Sequence, residues 1–342
     1  MQVIALPAYR PVRTRLAIAL AGFGALAIAT GLLAPLVGTT EIGLARVFDR
    51  SVPFAENVDA QIFFVARLPR VLSGMVVGAT LAAAGVVLQA LLRNPLATPF
   101  TLGVSAAASL GAMLAITLGS AISIGPFSPV PVASFAGALL AVSTIYVLAN
   151  RPGRALSTSV LLLAGVTLNS FFSALILFVQ YMADFAETFR AVRWLMGDLD
   201  IGGYAPIIGA LPLVLAAFAV FAVLPASLNQ LSVGNDAAAA RGVDVGRAQR
   251  LAFLSASLAT AGAVSLAGPI GFIGIVVPHL VRLMVGVDHR VVLPAAALFG
   301  ASFLVACDTV ARTVMAPIEL PVGIVTALIG GPFFLWMLVR KG

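Results

Sequence analysis

Apolar residues fill this chain in long runs, and the ionisable residues fall between the runs rather than inside them. Charge-free stretches cover residues 16–40, 71–92, 94–150, 155–183, 201–235, 251–281, 291–307 and 320–339. A helix that crosses a bilayer needs about 20 apolar residues, so every stretch predicts at least one span. The stretch 94–150 is long enough for two, with the turn-forming segment GSAISIGPFSPVP at 119–131 between them. The stretch 251–281 is long for one helix and short for two, so hydropathy alone leaves it open.

Charge closes that gap, because basic residues favour the cytoplasmic side of short loops. With Arg10, Arg13 and Arg15 inside, the loops alternate. The acidic segment 41–59 falls outside, Arg93 inside, 119–131 outside, Arg151 and Arg154 inside, the acidic segment 184–200 outside, and Arg241, Arg247 and Arg250 inside. A double crossing that reverses near Gly268 and Pro269 keeps Asp288, Arg290, Arg340 and Lys341 inside and Glu319 outside. The prediction is an all-α membrane protein of ten spans, with both termini cytoplasmic and residues 1–342 forming one membrane domain. Inside loops then hold thirteen basic and three acidic residues and outside loops six and nine, with Asp308 and Arg312 at the edge of the ninth span. A cleaved signal peptide is the competing reading of the first run, which is longer than a usual signal core.

Composition agrees with a lipid environment: 61% of the 342 residues are hydrophobic and 10% charged, where soluble domains carry about a quarter charged residues. The net charge of +7 does not point to nucleic acid, because the arginines are scattered singly and form no patch. The single cysteine, Cys307, sits in an apolar run and permits no internal disulfide.

One internal similarity stands out. ATLAAAGVV at 79–87 and ASLATAGAV at 256–264 share six of nine positions at an offset of 177 residues. On the ten-span count they lie on spans two and seven, which run in opposite directions, as inverted repeats do in transporters. Small residues also recur wherever helices pack closely in lipid, and both readings stand at this point.

No catalytic or metal-binding residues are expected. A Walker A loop needs a lysine after its glycines, and the only lysine is Lys341. His279 and His289 are too far apart for the short-spaced helical zinc motif, and Ser105 has no identifiable base. The one acidic candidate for a proton relay within a span is Asp308; four residues before Arg312, it shares a helix face with it and can pair. Its place near the outer end favours a structural or docking pair.

Two proline-bearing segments interrupt the apolar pattern: NPLATP at 94–99 and GPIGFIGIVVPHLVR at 268–282. Irregular backbone cannot face lipid, so they read as re-entrant or broken segments, or else as ordinary turns between spans. The segment 224–250 is long for a turn, and DAAAARG within it favours a short helix ended by Gly242. Such a helix offers a handle for another protein; a solvated loop is the alternative.

Taken in order, RLPR (67–70), NPLATPFTLGVS (94–105), LSTSVLLLAGV (156–166), RWLMGDL (193–199), GPIGFIGIVVPHLVRLMVGVDHR (268–290), DTVAR (308–312) and ELPVGIVTALIGGPFF (319–334) resemble the permease subunits of ABC importers for iron-siderophore, haem and cobalamin, the FecCD/BtuC-like family. The resemblance implies a type II importer permease with inverted repeats in a bacterial or archaeal cytoplasmic membrane. It implies a homodimer that works with two copies of a cytoplasmic ATPase and an external substrate-binding protein. The chain itself would bind no cofactor, ATP and Mg being used by the ATPase. By the same resemblance Asn94, Leu96, Thr158 and Ser159 form a cytoplasmic gate. Arg67, Arg70 and Arg312 receive acidic residues of the binding protein, with Asp308 competing for Arg312. Asn235, Asp236, Ala239, Arg241 and Gly242 couple to the ATPase, and the fifth span lines a pathway of mainly small and apolar side chains. Iron-siderophore is the first choice of cargo, with cobalamin and haem open. A carrier driven by protons or sodium is the alternative from another class.

Overall fold

The computed structural model describes residues 11–118, 128–150 and 156–341. Arg10, Arg151, Arg154 and most of the turn expected at 119–131 lie outside the described residues.

The described residues fold into helices joined by short turns, with no strand among them. In chain order these are α1 (Val12–Leu33), the single-turn helices α2 (Leu44–Val47) and α3 (Val58–Gln61), and α4 (Leu68–Leu92), which α3 reaches through a π-helical turn at Ile62–Arg67. A 3-10 turn at Pro99–Leu102 leads to α5 (Val104–Leu118), followed by α6 (Pro129–Ala149), α7 (Thr158–Met182), α8 (Phe185–Leu195) and α9 (Ala205–Val223). Two short helices follow, α10 (Pro225–Leu231) and α11 (Asn235–Ala240); then come α12 (Val245–Ala267), α13 (Ile273–Val285), α14 (His289–Thr313) and α15 (Val322–Lys341). Seven of these are long and apolar enough to cross a membrane, and α5, α13 and the 322–337 part of α15 are shorter apolar helices. Seven and three together are consistent with the ten spans expected.

The helices form a central group and a rim. In their apolar windows α4 and α12 are 78% buried and α14 72%, against 17% for α1 and 22% for α7. The centre is built by close backbone approach rather than by bulky side chains, as lipid supplies no hydrophobic drive between helices. A Cβ on Gly78 would meet the carbonyl oxygen of Gly300 on α14 at 2.2 Å, and one on Gly85 would meet that of Gly274 on α13 at 2.3 Å. The two similar stretches, 79–87 and 256–264, lie on α4 and α12, which pack against each other.

The run 251–281 is broken where its glycine and proline predicted. Gly268 leaves α12 at φ 69°, Phe272 takes a left-handed conformation, and α13 starts at Ile273. At 13 residues α13 rises only about 20 Å, short of the roughly 30 Å hydrocarbon core. The break lies inside the apolar run 251–281, and protein covers it. Ile270 is fully buried, a Cβ on Gly268 would meet the Trp194 carbonyl oxygen at 2.4 Å, and Asp198 N donates to Ala267 O at 2.9 Å. The NPLATP segment is instead a capped turn at the end of the bundle. Arg93 closes α4 in a left-handed conformation, Asn94 Oδ1 accepts from Leu96 N at 2.9 Å, and Thr98 and Thr101 cap each other across the 3-10 turn.

Two spans run past the charges that bounded their charge-free stretches. The second span, α4, begins before Arg70 and runs on N-terminally into the π-helical turn that carries Arg67, and α14 continues through Asp308 and Arg312.

Gly85→Ala is predicted to lower stability by about 1–3 kcal/mol or more through overpacking against α13, read as a drop in the thermal unfolding midpoint of the detergent-purified protein. Gly22→Ala, whose added Cβ meets nothing within 4 Å, should leave the midpoint unchanged; equal midpoints for the two variants would contradict the close packing.

Candidate functional site

The contacts at the helix ends sort them onto two faces. One face carries the end of α1, the start of α4, the end of α14 and the turn before α15, and four charged residues meet there. Arg70 Nε donates to both Asp308 oxygens at 3.1 Å, its Nη2 to Asp308 Oδ1 at 3.0 Å and its Nη1 to Glu319 Oε2 at 2.6 Å. Arg312 Nε lies 3.0 Å from Asp308 Oδ2 as an ionic contact without hydrogen-bond alignment. Its Nη1 donates to Val37 O at 3.2 Å and its Nη2 to Ala34 O at 3.4 Å. Arg67 works alongside, donating to the carbonyls of Pro35, Leu36 and Thr40. Two guanidiniums thus satisfy carbonyls at and beyond the C-terminus of α1, where the helix leaves acceptors without partners and carries partial negative charge.

This geometry brings together the three arginines expected to dock the binding protein, with their donors engaged within the chain. Arg67 and Arg312 are 6% and 3% exposed. Glu319 is the outermost member, its side chain 38% exposed against 11% for Arg70 and 2% for Asp308.

The opposite face gathers the start of α1, the end of α4, α10, α11, the end of α13 and the start of α14. Arg15 donates to Val285 O, capping α13. On α11, Ala238 is fully buried while Asp236, Ala239, Arg241 and Gly242 are exposed and Asn235 is half-buried. The helix ends as its sequence predicts: Gly242 is left-handed at φ 82°, and Val243 N donates to Ala238 O at 3.1 Å. Arg241 Nη1 donates to Gln230 Oε1 at 2.5 Å and Gln249 Nε2 to Asn235 Oδ1 at 3.3 Å, tying α11 to its neighbours on both sides.

The expected gate residues lie close to this face. Asn94 is half-buried, Leu96 36% exposed, Thr158 half-buried and Ser159 exposed. The 3-10 turn packs on α7, where a Cβ on Gly165 would meet Thr101 O at 2.5 Å. No hydrogen bond joins Asn94 or Leu96 to Thr158 or Ser159 among the described residues.

The sequence profile of the FecCD transport family matches residues 26–340. The chain is 47% identical over 272 residues to the cobalamin import system permease protein BtuC of Halobacterium salinarum, covering 80% of this chain and 72% of that one. It is 40% identical over 316 residues to the hemin transport system permease protein HmuU of Yersinia pestis, covering 89% and 92%. A solved structure described as an inward-facing conformation of a metal-chelate type ABC transporter matches with a TM-score of 0.80 and 33% identity, covering 94% of this chain and 99% of that one.

The chain belongs to the FecCD transport family. It is a multi-pass permease of the ABC importer class, and the family's relatives span cobalamin, haem and iron-chelate import.

Two features of this FecCD permease escaped the sequence reading. Asn229 on α10 donates from Nδ2 to Asp288 Oδ1 at 2.7 Å and accepts at Oδ1 from His289 N at 2.9 Å, with His289 Nδ1 at 2.7 Å from the same oxygen. One side chain therefore joins the segment before α11 to the N-terminus of α14. Burial pushes the Asp288 carboxyl up, but the bonds from Asn229 and Arg290 N and the charges of Arg290 and Arg15 reverse this and hold it below the ordinary carboxylate range. No pattern within residues 224–250 marked Asn229. The second feature is α8, read as an acidic outer loop; its signal was present as a reciprocal cap between Asp184 and Glu187.

Asp308→Asn leaves Arg70 and Arg312 buried without their shared counter-charge and should cost about 3–5 kcal/mol, while Glu319→Gln, at the exposed edge, should cost no more than about 1 kcal/mol. Thermal unfolding in matched detergent checks this; an equal loss in both variants would contradict the inward-directed network.

Proposed function

We propose that this permease works as a homodimer whose two subunits enclose the pathway of an ATP-driven metal-chelate importer. On this reading the α11 face is cytoplasmic and meets two copies of an ATPase that use ATP and Mg, and the arginine face is external and meets a binding protein. The observation that carries the reading is α11, a short helix exposed on one side, held by Gln230 and Gln249 and joined through Asn229 to the start of α14. A partner that grips such a helix moves α10 and the N-terminal end of α14 with it. The exposed residues Asp236, Ala239, Arg241 and Gly242, beside Asn235, form the grip. Asn94, Leu96, Thr158 and Ser159, at the ends of segments packed through Gly103 and Gly165, act as the inner gate.

Docking at the external face proceeds by exchange. Arg67, Arg70 and Arg312 already hold partners, and the most accessible of these is Glu319 on Arg70. A carboxylate of the binding protein would replace Glu319 there, forming a charge-assisted bond of the same kind. The cargo is a metal chelate. Iron-siderophore, cobalamin and haem all occur among the activities named for relatives or expected from the sequence. A proton relay has less support, since the carboxylate of Asp308 is engaged by two arginines.

Purified chain alone is expected to hydrolyse no ATP, and reconstituted with its ATPase and binding protein to take up chelate only while ATP is present. Asn229→Leu should leave ATP hydrolysis by the complex intact but lower uptake per ATP roughly tenfold, a coupling change of about 1.4 kcal/mol. Uptake driven by an ion gradient without ATP would contradict the proposal. Glu319→Gln should strengthen binding of the binding protein several-fold in a surface plasmon resonance titration; weaker or unchanged binding would contradict exchange at Arg70.

A further inference from the structure

On the α11 face a cavity of about 810 Å³ opens between the start of α1, the ends of α4 and α13, α10 and the start of α14. Three arginines from three helices line it: Arg15 on α1, Arg93 at the end of α4 and Arg282 in the last turn of α13. Asp288 is the one acidic residue in its wall, and its carboxylate already accepts from Asn229 Nδ2 at 2.7 Å and from Arg290 N at 3.0 Å. Arg15 is engaged by the Val285 carbonyl. Arg93 and Arg282 have neither a side-chain hydrogen bond nor an ion pair among the described residues. Arg93 is exposed to water, but Arg282 is half-buried on an apolar helix. A guanidinium placed there has lost part of its hydration, with no anion of the chain to replace it. The buried arginines of the opposite face, Arg67, Arg70 and Arg312, all donate within the chain.

A second group in the same wall lacks a partner. Gln89 is 4% exposed and lines the cavity; its Nε2 donates to Gly274 O at 2.9 Å, while its Oε1 is a buried acceptor that no donor among the described residues satisfies. The cavity thus offers an anion two guanidiniums without counter-ions, together with an acceptor that requires a hydroxyl or N–H donor. Apolar surface adjoins it. Leu283, Met284 and Val287 follow Arg282 closely in sequence and are exposed, as is Val233, and both valines line the cavity. An acidic segment of a soluble protein seated on the arginines would leave these side chains in water. A ligand whose anionic group continues into hydrocarbon chains covers both.

We propose that this cavity holds the headgroup of an anionic glycerophospholipid, with the phosphodiester on Arg282 and Arg93, a headgroup hydroxyl on Gln89 Oε1 and the acyl chains along Leu283, Met284 and Val287. The site lies where the spans end, the level at which lipid phosphates sit. It reaches from Arg93, Asn94 and Pro95 of the NPLATP turn to the Asn229–Asp288 link, so the lipid braces one against the other. The proposal goes beyond the importer reading and does not depend on it.

Native mass spectrometry of the delipidated permease–ATPase complex, titrated with phosphatidylglycerol, tests the site. The complex should bind this lipid at least roughly tenfold more tightly than phosphatidylcholine with the same chains. It should also prefer it several-fold over phosphatidylethanol, which carries the same charge and no headgroup hydroxyl; equal binding of these two would overturn the role of Gln89. Arg282→Gln and Arg93→Gln should each weaken phosphatidylglycerol binding about fivefold, while Arg247→Gln, at an exposed position at the start of α12 outside the cavity, should leave it unchanged. Arg93 is exposed at a helix end, so its variant gives a reading even if Arg282→Gln misfolds. Equal losses in all three variants would mean diffuse attraction to a basic surface, and no loss in any would mean no site; either overturns the proposal. Binding of glycerol phosphate as tight as that of the lipid would make this a site for free phosphate esters and overturn the lipid. Binding by the permease alone that is lost when the ATPase is added would mean that an acidic segment of the ATPase fills the cavity, and would also overturn it.

Discussion

Backbone polar groups have no water to turn to inside a bilayer, and every departure from helix must be covered by protein. That constraint organises this molecule. At the break 268–272, α15 covers Phe272, where a Cβ on Gly330 would meet its Cβ at 2.4 Å, and glycines at 78 and 85 let the α4 backbone touch α14 and the start of α13 just beyond. The Trp194–Asp198 segment closes the other side, with Asp198 N on the Ala267 carbonyl. A broken helix, its glycine-lined shield and a capping loop thus form one unit, built from three segments far apart in sequence.

Charge follows the same logic. Arg67, Arg70, Asp308 and Arg312 all lie in helices that count as apolar spans, yet each has partners within the chain. The arginines hold the end of α1 and the end of α14 against the start of α4. This makes the arginine face a cross-linked cap with one accessible edge, at Arg70 and Glu319. The α11 face works differently: there one amide, Asn229, ties α10 to α14 by serving both the carboxylate of Asp288 and the backbone of His289.

Much of the fold was legible in the sequence, and the exceptions have physical causes. Hydropathy and charge parity predicted the helical class, a number of spans consistent with the apolar helices observed, the break at Gly268 and the short helix before Gly242. Counting between charges cut two spans short at Arg70 and at Cys307, because it treats ionisable residues as boundaries; a charge with a partner on another helix does not end a helix. The pairing of Asp308 with Arg312 followed from their spacing, but that of Arg70 with Asp308 and Glu319 joins residues more than two hundred positions apart and no local pattern holds it. The fifth span read as small and apolar by composition. Nothing in the spacing of its polar residues Asn169, Ser173 and Gln180 says which helix they face; that they share a cavity with Ser105 and Ser109 of α5 follows only from the fold.

The account depends most on the two faces lying on opposite sides of the membrane, with the α11 grip inside and the Arg70–Glu319 edge outside. Single cysteines at positions 241 and 319, in a Cys307→Ala background, can be exposed to an impermeant maleimide in right-side-out and in inside-out vesicles. The account predicts that Glu319→Cys reacts only in right-side-out vesicles and Arg241→Cys only in inside-out ones. Reaction of both from the same side would contradict it.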